Sequence, residues 1–593
     1  MKTILIRGLV LGSFFCFLLS YLSAQDADLY NQAQVNAFND SIVPGTVHIN
    51  GSDITDLTPL LKLKSAGNLR IRNTRLSNLA GLDSLKSIGG KLEIEDNNDL
   101  TNIDALSNLE SINKLEMSGN RNLTNLDGLG GLSGSIDTIY LYRTDLSQID
   151  SLMGLAGDLK LLDIRQNELI NLDGLIGITG ADKMIIHESK ILSIDGLYSM
   201  RESRIVDLRL GDLFSLSALA QLNVSESISL RCPIQRLDAF YPVRSLESLT
   251  ISNCDFLTNF SGLDSLKHVD HLQLHDLMVY TTDILDFSAL NQLSGSIMDV
   301  SISEVKDLED LSILDDVESI GSLSLQGNRN LKNLVGIDSL KNLDELSIIG
   351  CENMSSLEGF PLAEDSLALL FLSDLPALTS LEGLENIAKL DESYSFKAKV
   401  NLERLGILNV DGLSGLSGRY GGFLKIIHND HLQNLDGLGG ISEIGYGIHV
   451  EDNPVLDSCC VLKDLLQDLE FTRILENRPS CSRNEIIKAD GVCYGGTLND
   501  PDPTTIPEQF AVLGLYPNPT SGQAKIYYAS PEVRTIELRI VDLQGRWAKP
   551  IQSFSAIAGY GELSLDLSQL NPGLYFVQML VPETGQIWKL VLY

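Results

Sequence analysis

At 593 residues the chain is longer than one hydrophobic core usually supports, so several domains or one long array are expected. A formal charge of -35 repels phosphate backbones and argues against a nucleic-acid partner. The acid is dispersed and 44% of residues are apolar, which excludes a disordered acidic tail.

Residues 1–24 read as an export signal. Lys2 and Arg7 give the positive start, Leu9 to Leu19 the apolar stretch, and Leu22-Ser23-Ala24 a cleavage site before Gln25. No later stretch is long enough to span a bilayer, so no transmembrane segment is expected in the mature chain. Residues 25–46 read as an N-terminal cap. Asn31 and Gln34 are spaced as a capping box, and Val35 and Phe38 give the short helix one apolar edge.

From Val47 the chain repeats one sentence, clearest from Lys114 to Ile136. Leu115 and Met117 alternate, Asn120 follows three places later, and then Leu123, Leu126, Leu129 and Leu132 fall at every third place. Eighteen alternating pairs run from Val47/Ile49 to Ile448/Val450, most of them 21 to 24 residues apart. Longer steps precede Val300 and Leu424, and Tyr394/Phe396 is the least regular pair. Alternate apolar residues suit a short strand, and a period of three suits 3₁₀ or extended arcs. Each copy is then one coil of a solenoid that buries its apolar edge only by stacking on its neighbours. Asn97, Asn120, Asn167, Asn328, Asn429 and Asn453 share a corner slot that Cys254 and Cys351 also occupy, where an amide can bond otherwise orphaned backbone groups. Gly128 and its equivalents mark a slot needing positive φ or close backbone approach.

The pattern L-x-I-x-x-N-x-x-L-x-x-L-x-G-L resembles the leucine-rich repeat, and its flavour is similar to the receptor L-domain-type repeats of exported Bacteroidetes proteins. The expected fold class is therefore a β-rich solenoid: a leucine-rich-repeat array of about 18 coils with short parallel strands over 47–456, followed by a small antiparallel β-sandwich.

Residues 457–495 carry Cys459, Cys460, Cys481 and Cys493 around a helical stretch from Val461 to Leu469, which reads as a disulfide-stapled C-terminal cap. A bond between the adjacent Cys459 and Cys460 is strained, which leaves two pairings open. Zinc is the rival reading, but C-x-x-C spacing is absent. Residues 496–510 are a Pro/Asp linker. Beyond it, at 511–593, the period changes to two, with alternating stretches at Ala524 to Tyr528, Thr535 to Val541, Glu562 to Leu567, Leu574 to Leu580 and Ile587 to Leu592. Tyr516-Pro517-Asn518-Pro519 with Gly522, then Asp542-Leu-Gln-Gly545, then Gly573-Leu-Tyr575, and finally Lys589, resemble the type A sorting domain of the type IX secretion system. The resemblance implies the type IX secretion machinery as a partner and a destination outside the cell or on its outer surface.

No nucleophile elbow, zincin helix or phosphate-binding glycine loop occurs, so the chain is expected not to be an enzyme, and no cofactor or metal is expected. His268, His271 and His275 form the densest histidine group, and Glu95 to Asp99 an acidic corner; both read better as solvated surface. The residues following each second inward position are more telling. Arg72, Tyr142, Arg165, His187, Arg209 and Arg231 make a basic and aromatic stripe, interrupted by Glu95 and Ser118, on an acidic chain. Either the stripe meets an anionic glycan or an acidic protein surface, or its arginines pair with Glu93, Glu116, Asp163 and Asp207 in the adjacent column. The expected function is extracellular recognition or adhesion, binding protein or glycan on the concave strand face. The alternatives are a structural spacer or a non-catalytic accessory of an exported enzyme.

Overall fold

The computed structural model describes residues 25–593 apart from 278–284, 362–366, 386, 388–398, 467–468, 470, 479–480, 482–485, 487–510, 517–522, 543–545, 557–558, 572, 581–586 and 593. The export signal lies outside the described residues. Twenty-one strands form one parallel sheet in which spatial neighbours are also successive in the chain. The coil beginning at strand Lys114–Ser118 shows why. Leu115 and Met117 point inward and are fully buried, while Lys114, Glu116 and Ser118 point outward. Asn120 turns into the corner, Leu123 and Leu126 fill the arc, and a 3₁₀ turn at Asp127–Leu129 brings Leu129 inward. Full burial of one such leucine contributes about 2 kcal/mol, and it is reached only because the next coil sets Ile139 beside Leu115 and Leu141 beside Met117.

The 3₁₀ turn has a local cause. The Asn125 side chain accepts from Asp127 N at 3.1 Å, and Asn171 and Asn434 do the same for Asp173 and Asp436 at 3.0 and 3.2 Å. This side-chain cap fixes the chain two residues ahead of the turn. Gly128 then explains the glycine slot: a Cβ there would lie 2.0 Å from Ile103 O of the previous coil. Close backbone approach is the constraint at Gly128, whereas Gly81 combines that approach with a φ of +110°.

The corner asparagines form a ladder. Asn97 Nδ2 donates to Ile71 O at 2.9 Å and Glu95 O at 3.0 Å, while its backbone N–H donates to Asn120 Oδ1 at 3.0 Å. Each amide thus bonds its own coil and the coil before it. Asn429, Asn453 and Asn477 repeat this: the N–H of Asn429 donates to Asn453 Oδ1 at 3.0 Å, and that of Asn453 to Asn477 Oδ1 at 3.1 Å. The αL residue ahead of most of these corners (Asp96, Gln166, His428 and Asp452, for example) turns the chain inward.

Four expectations change. Tyr394/Phe396 lies outside the described residues, and the strand at that step is Lys399–Leu405, with Val400 paired to Leu370 and to Leu424. The long step therefore precedes Val400, not Leu424, because Val400/Leu402 offers the same alternation one insertion later. The stretch after Val461 is not a continuous helix among the described residues; it begins with 3₁₀ turns at Cys460–Leu462 and Asp464–Leu466. The sheet then continues through strand Phe471–Leu475, which pairs Thr472 with Ile448 and Ile474 with Val450. At the other end strand Ala27–Leu29 pairs with Val47 to Ile49, so the sheet also begins before Val47. The helix Gln32–Ala37 follows it, with Asn31 Oδ1 accepting from Gln34 N at 2.9 Å and Gln34 Oε1 accepting from Tyr30 N at 2.7 Å. Val35 is fully buried beneath it.

The C-terminal domain has two antiparallel sheets, one of three strands and one of four. Strands Ala511–Tyr516 and Trp547–Ala556 join those read from the alternation. Ala524, Ile526 and Tyr528 of one sheet share a core with Ile536, Leu538 and Ile540 of the other. That is the packing of a sandwich.

Candidate ligand-binding face

The outward residues of the long sheet stand in register. Arg72 is beside Glu95, then Ser118, Tyr142, Arg165, His187, Arg209 and Arg231 in unbroken succession. The stripe is one physical column. Its charges are compensated unequally. Arg72 contacts Glu93 and lies 2.7 Å from Glu95, and Arg70 is 3.0 Å from the same Glu93, which is buried. Burial opposes ionisation of Glu93, but Lys91, Arg72 and Arg70 outweigh it and hold the carboxyl below the ordinary range.

Arg165 grips Asp163 through Nε at 2.6 Å and a second bond from Nη2, which raises the guanidinium above its ordinary value. His187 Nε2 lies 2.9 Å from Asp207 Oδ2, and Arg209 Nε reaches the other oxygen at 3.4 Å. Burial raises Asp207, yet His187 and Arg209 bring it below the ordinary range. Glu93, Asp163 and Asp207 thus take the neighbouring-column roles foreseen for them, whereas Glu116 pairs with Lys91 at 2.8 Å.

Further along, the compensation thins. Asp207 is shared between His187 and Arg209, Arg209 remains 54% exposed, and Arg231 is exposed with no ion pair among the described residues. The outward positions beside them are Ser229, Thr250 and Ser252. From Ser227 to Ile349 ten of the eighteen outward positions are serine or threonine, so the face changes from charged to hydroxylated. Tyr142 stacks obliquely with Tyr140, ring centroids 6.2 Å apart, and Arg143 lies 5.8 Å over its ring. The three histidines each have separate partners: His268 with Asp270 at 3.1 Å, His271 with Asp299 and His275 with Ser303, both at 2.7 Å.

A second charged group, not anticipated from the sequence, lies on the same outward face at the C-terminal end. Glu403 is fully buried, Lys425 and His449 nearly so, with Lys425 Nζ 3.2 Å from Glu403 and Arg473 donating twice to Glu451 at 2.8 and 2.6 Å. Burial pushes His449 down to about 4, and its bond with Arg473 and His449 holds Glu451 at about 2 despite burial. Glu403, Lys425 and His449 are enclosed, whereas Arg473 stays about a third exposed at 32%.

Past this group, Cys459 is bonded to Cys481 with Cα atoms 5.5 Å apart, and Cys460 is also disulfide-bonded. Cys493 lies outside the described residues. Of the sorting motif, Pro517, Asn518, Pro519 and Gly522 lie outside them too. Tyr516 ends a strand, Gly573 opens another, Tyr575 Oη donates to Asn571 O at 2.7 Å, and Lys589 sits opposite Phe576.

No helix among the described residues is long and apolar enough to cross a membrane. No curated protein matches the chain. Residues 514–592 match the family of secretion-system C-terminal sorting domains. The C-terminal sandwich therefore belongs to the type IX secretion sorting domains, which mark proteins sent to the cell surface or outside the cell.

Proposed function

We propose that the solenoid, a leucine-rich-repeat array of receptor L-domain type by its repeat pattern, is a recognition module that binds an anionic extracellular ligand, a glycan or an acidic protein surface. It acts by binding, without covalent chemistry or a cofactor. The observation that carries this is the in-register column whose carboxylate compensation thins to one long shared contact at Arg209 and leaves Arg231 with no ion pair among the described residues. Guanidinium forks recognise carboxylate and sulfate in two-point geometry, and adjacent hydroxyls can donate to or accept from a polar ligand. Arg165 is held by Asp163 and acts as the near border of the site.

The test is capture of carboxylated and sulfated glycans on an array by full-length protein and by a variant carrying Arg165→Glu, Arg209→Glu and Arg231→Glu. Capture by the parent and its loss in the variant is expected. Equal capture by both, or none by the parent on the array or on intact cells, would overturn the reading.

A further inference from the structure

A cleft of about 360 Å³ opens on the flank of the last coils, lined by Leu408, His431, Gln433, Val455, Asp457 and Arg478. It lies on the arcs that follow the corner asparagines, away from the outward sheet columns. Its lining comes from consecutive coils held in fixed register. Gln433 N donates to Leu408 O at 2.8 Å, and Asp457 N and Ser458 N donate to Gln433 O at 2.9 and 3.1 Å. The backbone of Gln433 is thereby bonded to the coils on both sides. Arg478 is anchored beside the staple, because Cys481 N donates to Arg478 O at 2.8 Å and Cys481 is bonded to Cys459.

The lining divides by chemistry. Leu408 and Val455 supply a branched aliphatic surface, and Leu408 is 48% exposed despite its size. Arg478, His431 and Gln433 supply donors, and Asp457 an acceptor of full negative charge. Arg478 Nη1 stands 3.5 Å from Asp457 Oδ2 with both side chains half exposed or more, a loose and solvent-screened pair. Opposite charges side by side, in a cleft that aliphatic side chains also line, match a molecule with a carboxylate, an ammonium and a short apolar group. The volume is at the lower end for small-molecule sites.

We propose that this cleft binds an aliphatic α-amino acid as its zwitterion. The carboxylate sits on Arg478 with His431 and Gln433 beside it, the ammonium on Asp457, and the side chain on Leu408 and Val455. The site is independent of the anionic-ligand face.

Calorimetric titration of full-length protein with L-leucine, isovalerate and isoamylamine tests it. Saturable binding of L-leucine is expected, with each half-molecule about tenfold weaker or worse, the loss of one charge-assisted contact. Arg478→Gln and Asp457→Asn should each weaken L-leucine by a similar factor, with thermal unfolding unchanged because both side chains are on the surface. Isovalerate binding as tightly as L-leucine would reduce the cleft to a simple anion site and overturn the proposal. So would L-leucine heats that persist in both variants, or no saturable heat with any of the three.

Discussion

At the two ends of the solenoid the corner slot holds an amide, in Asn97, Asn120 and Asn167 near the start and in Asn429, Asn453 and Asn477 near the finish. In the middle the same slot reads Cys254, Leu277 and Val305, all buried. Both choices allow coils to stack, so the amide is not what makes the turn. What differs is how the corner carbonyls are satisfied. Asn97 meets Ile71 O at 2.9 Å, whereas Cys351, at the equivalent place beside Leu325 O, stays 4.0 Å away. The amide corners bind neighbouring coils by short directed bonds, the thiol corners by longer and weaker S–H contacts, and the aliphatic corners by packing, so the kinds should fail differently.

The largest effect is expected where a ladder is cut in its middle. Asn453→Ala removes an amide that donates to Ile426 O at 3.1 Å and Asn477 Oδ1 at 3.0 Å and accepts from Asn429 N at 3.0 Å. With several buried partners orphaned, roughly 3 kcal/mol or more should be lost. Hydrogen exchange should localise the loss to the last coils; protection unchanged there would mean that the ladder is ornamental.

A smaller, pH-dependent effect follows at the corner where Glu188 replaces the amide. Its carboxylate is buried and accepts from Asn167 N at 2.9 Å and Asn167 Nδ2 at 2.8 Å. Burial raises its pKa, with the Asn167 bonds opposing. The folded form therefore holds its proton more tightly than the unfolded chain. Stability from this group is complete below the unfolded value, ordinarily about 4.3, and is lost as pH rises through the raised folded value. Glu188→Gln should flatten that decline in urea titrations taken from pH 4 to pH 7. A decline of the same slope in the variant would assign it to other groups.

Cys351→Asn should convert one thiol corner to the amide kind. The thiol is 3.8 Å from Ile349 O and 4.0 Å from Leu325 O, and an amide at those carbonyls should add up to about 1 kcal/mol. A drop in the urea midpoint would show that this corner has no room for the amide. The smallest expected change concerns reactivity. Burial pushes the Cys351 thiol up to about 12, so iodoacetamide should leave it unmodified in the native protein at neutral pH. Labelling faster than global unfolding would reveal local opening.

Much of this was legible because inward residues repeat without interruption. Leu115, Met117 and Asn120 announce strand and corner in a form that every well-kept coil shares. Reading failed where the pattern competed with itself or carried a polar letter. Val400/Leu402 lost to Tyr394/Phe396 because any two alternating apolar residues satisfy the template, and the last strand was missed because Thr472 fills its first inward slot. The stripe could be named but not weighed: Arg165 and Arg231 occupy the same column, and only side-chain geometry shows one gripping Asp163 and the other without such a partner among the described residues. The cleft was invisible for a related reason. Leu408, Gln433, Val455 and Arg478 belong to successive coils, and only stacking places them around one space.

The staple between Cys459 and Cys481 has a mechanical consequence. It closes a covalent loop with a sequence separation of 22, so the strand Phe471–Leu475 inside it stays tethered to the coil it pairs with even when their hydrogen bonds open. The first strand, Ala27–Leu29, has only three register pairs and a six-residue helix beside it. Tension between the two ends should therefore unravel the solenoid in one direction, from Ala27 inward, with the C-terminal coils released last.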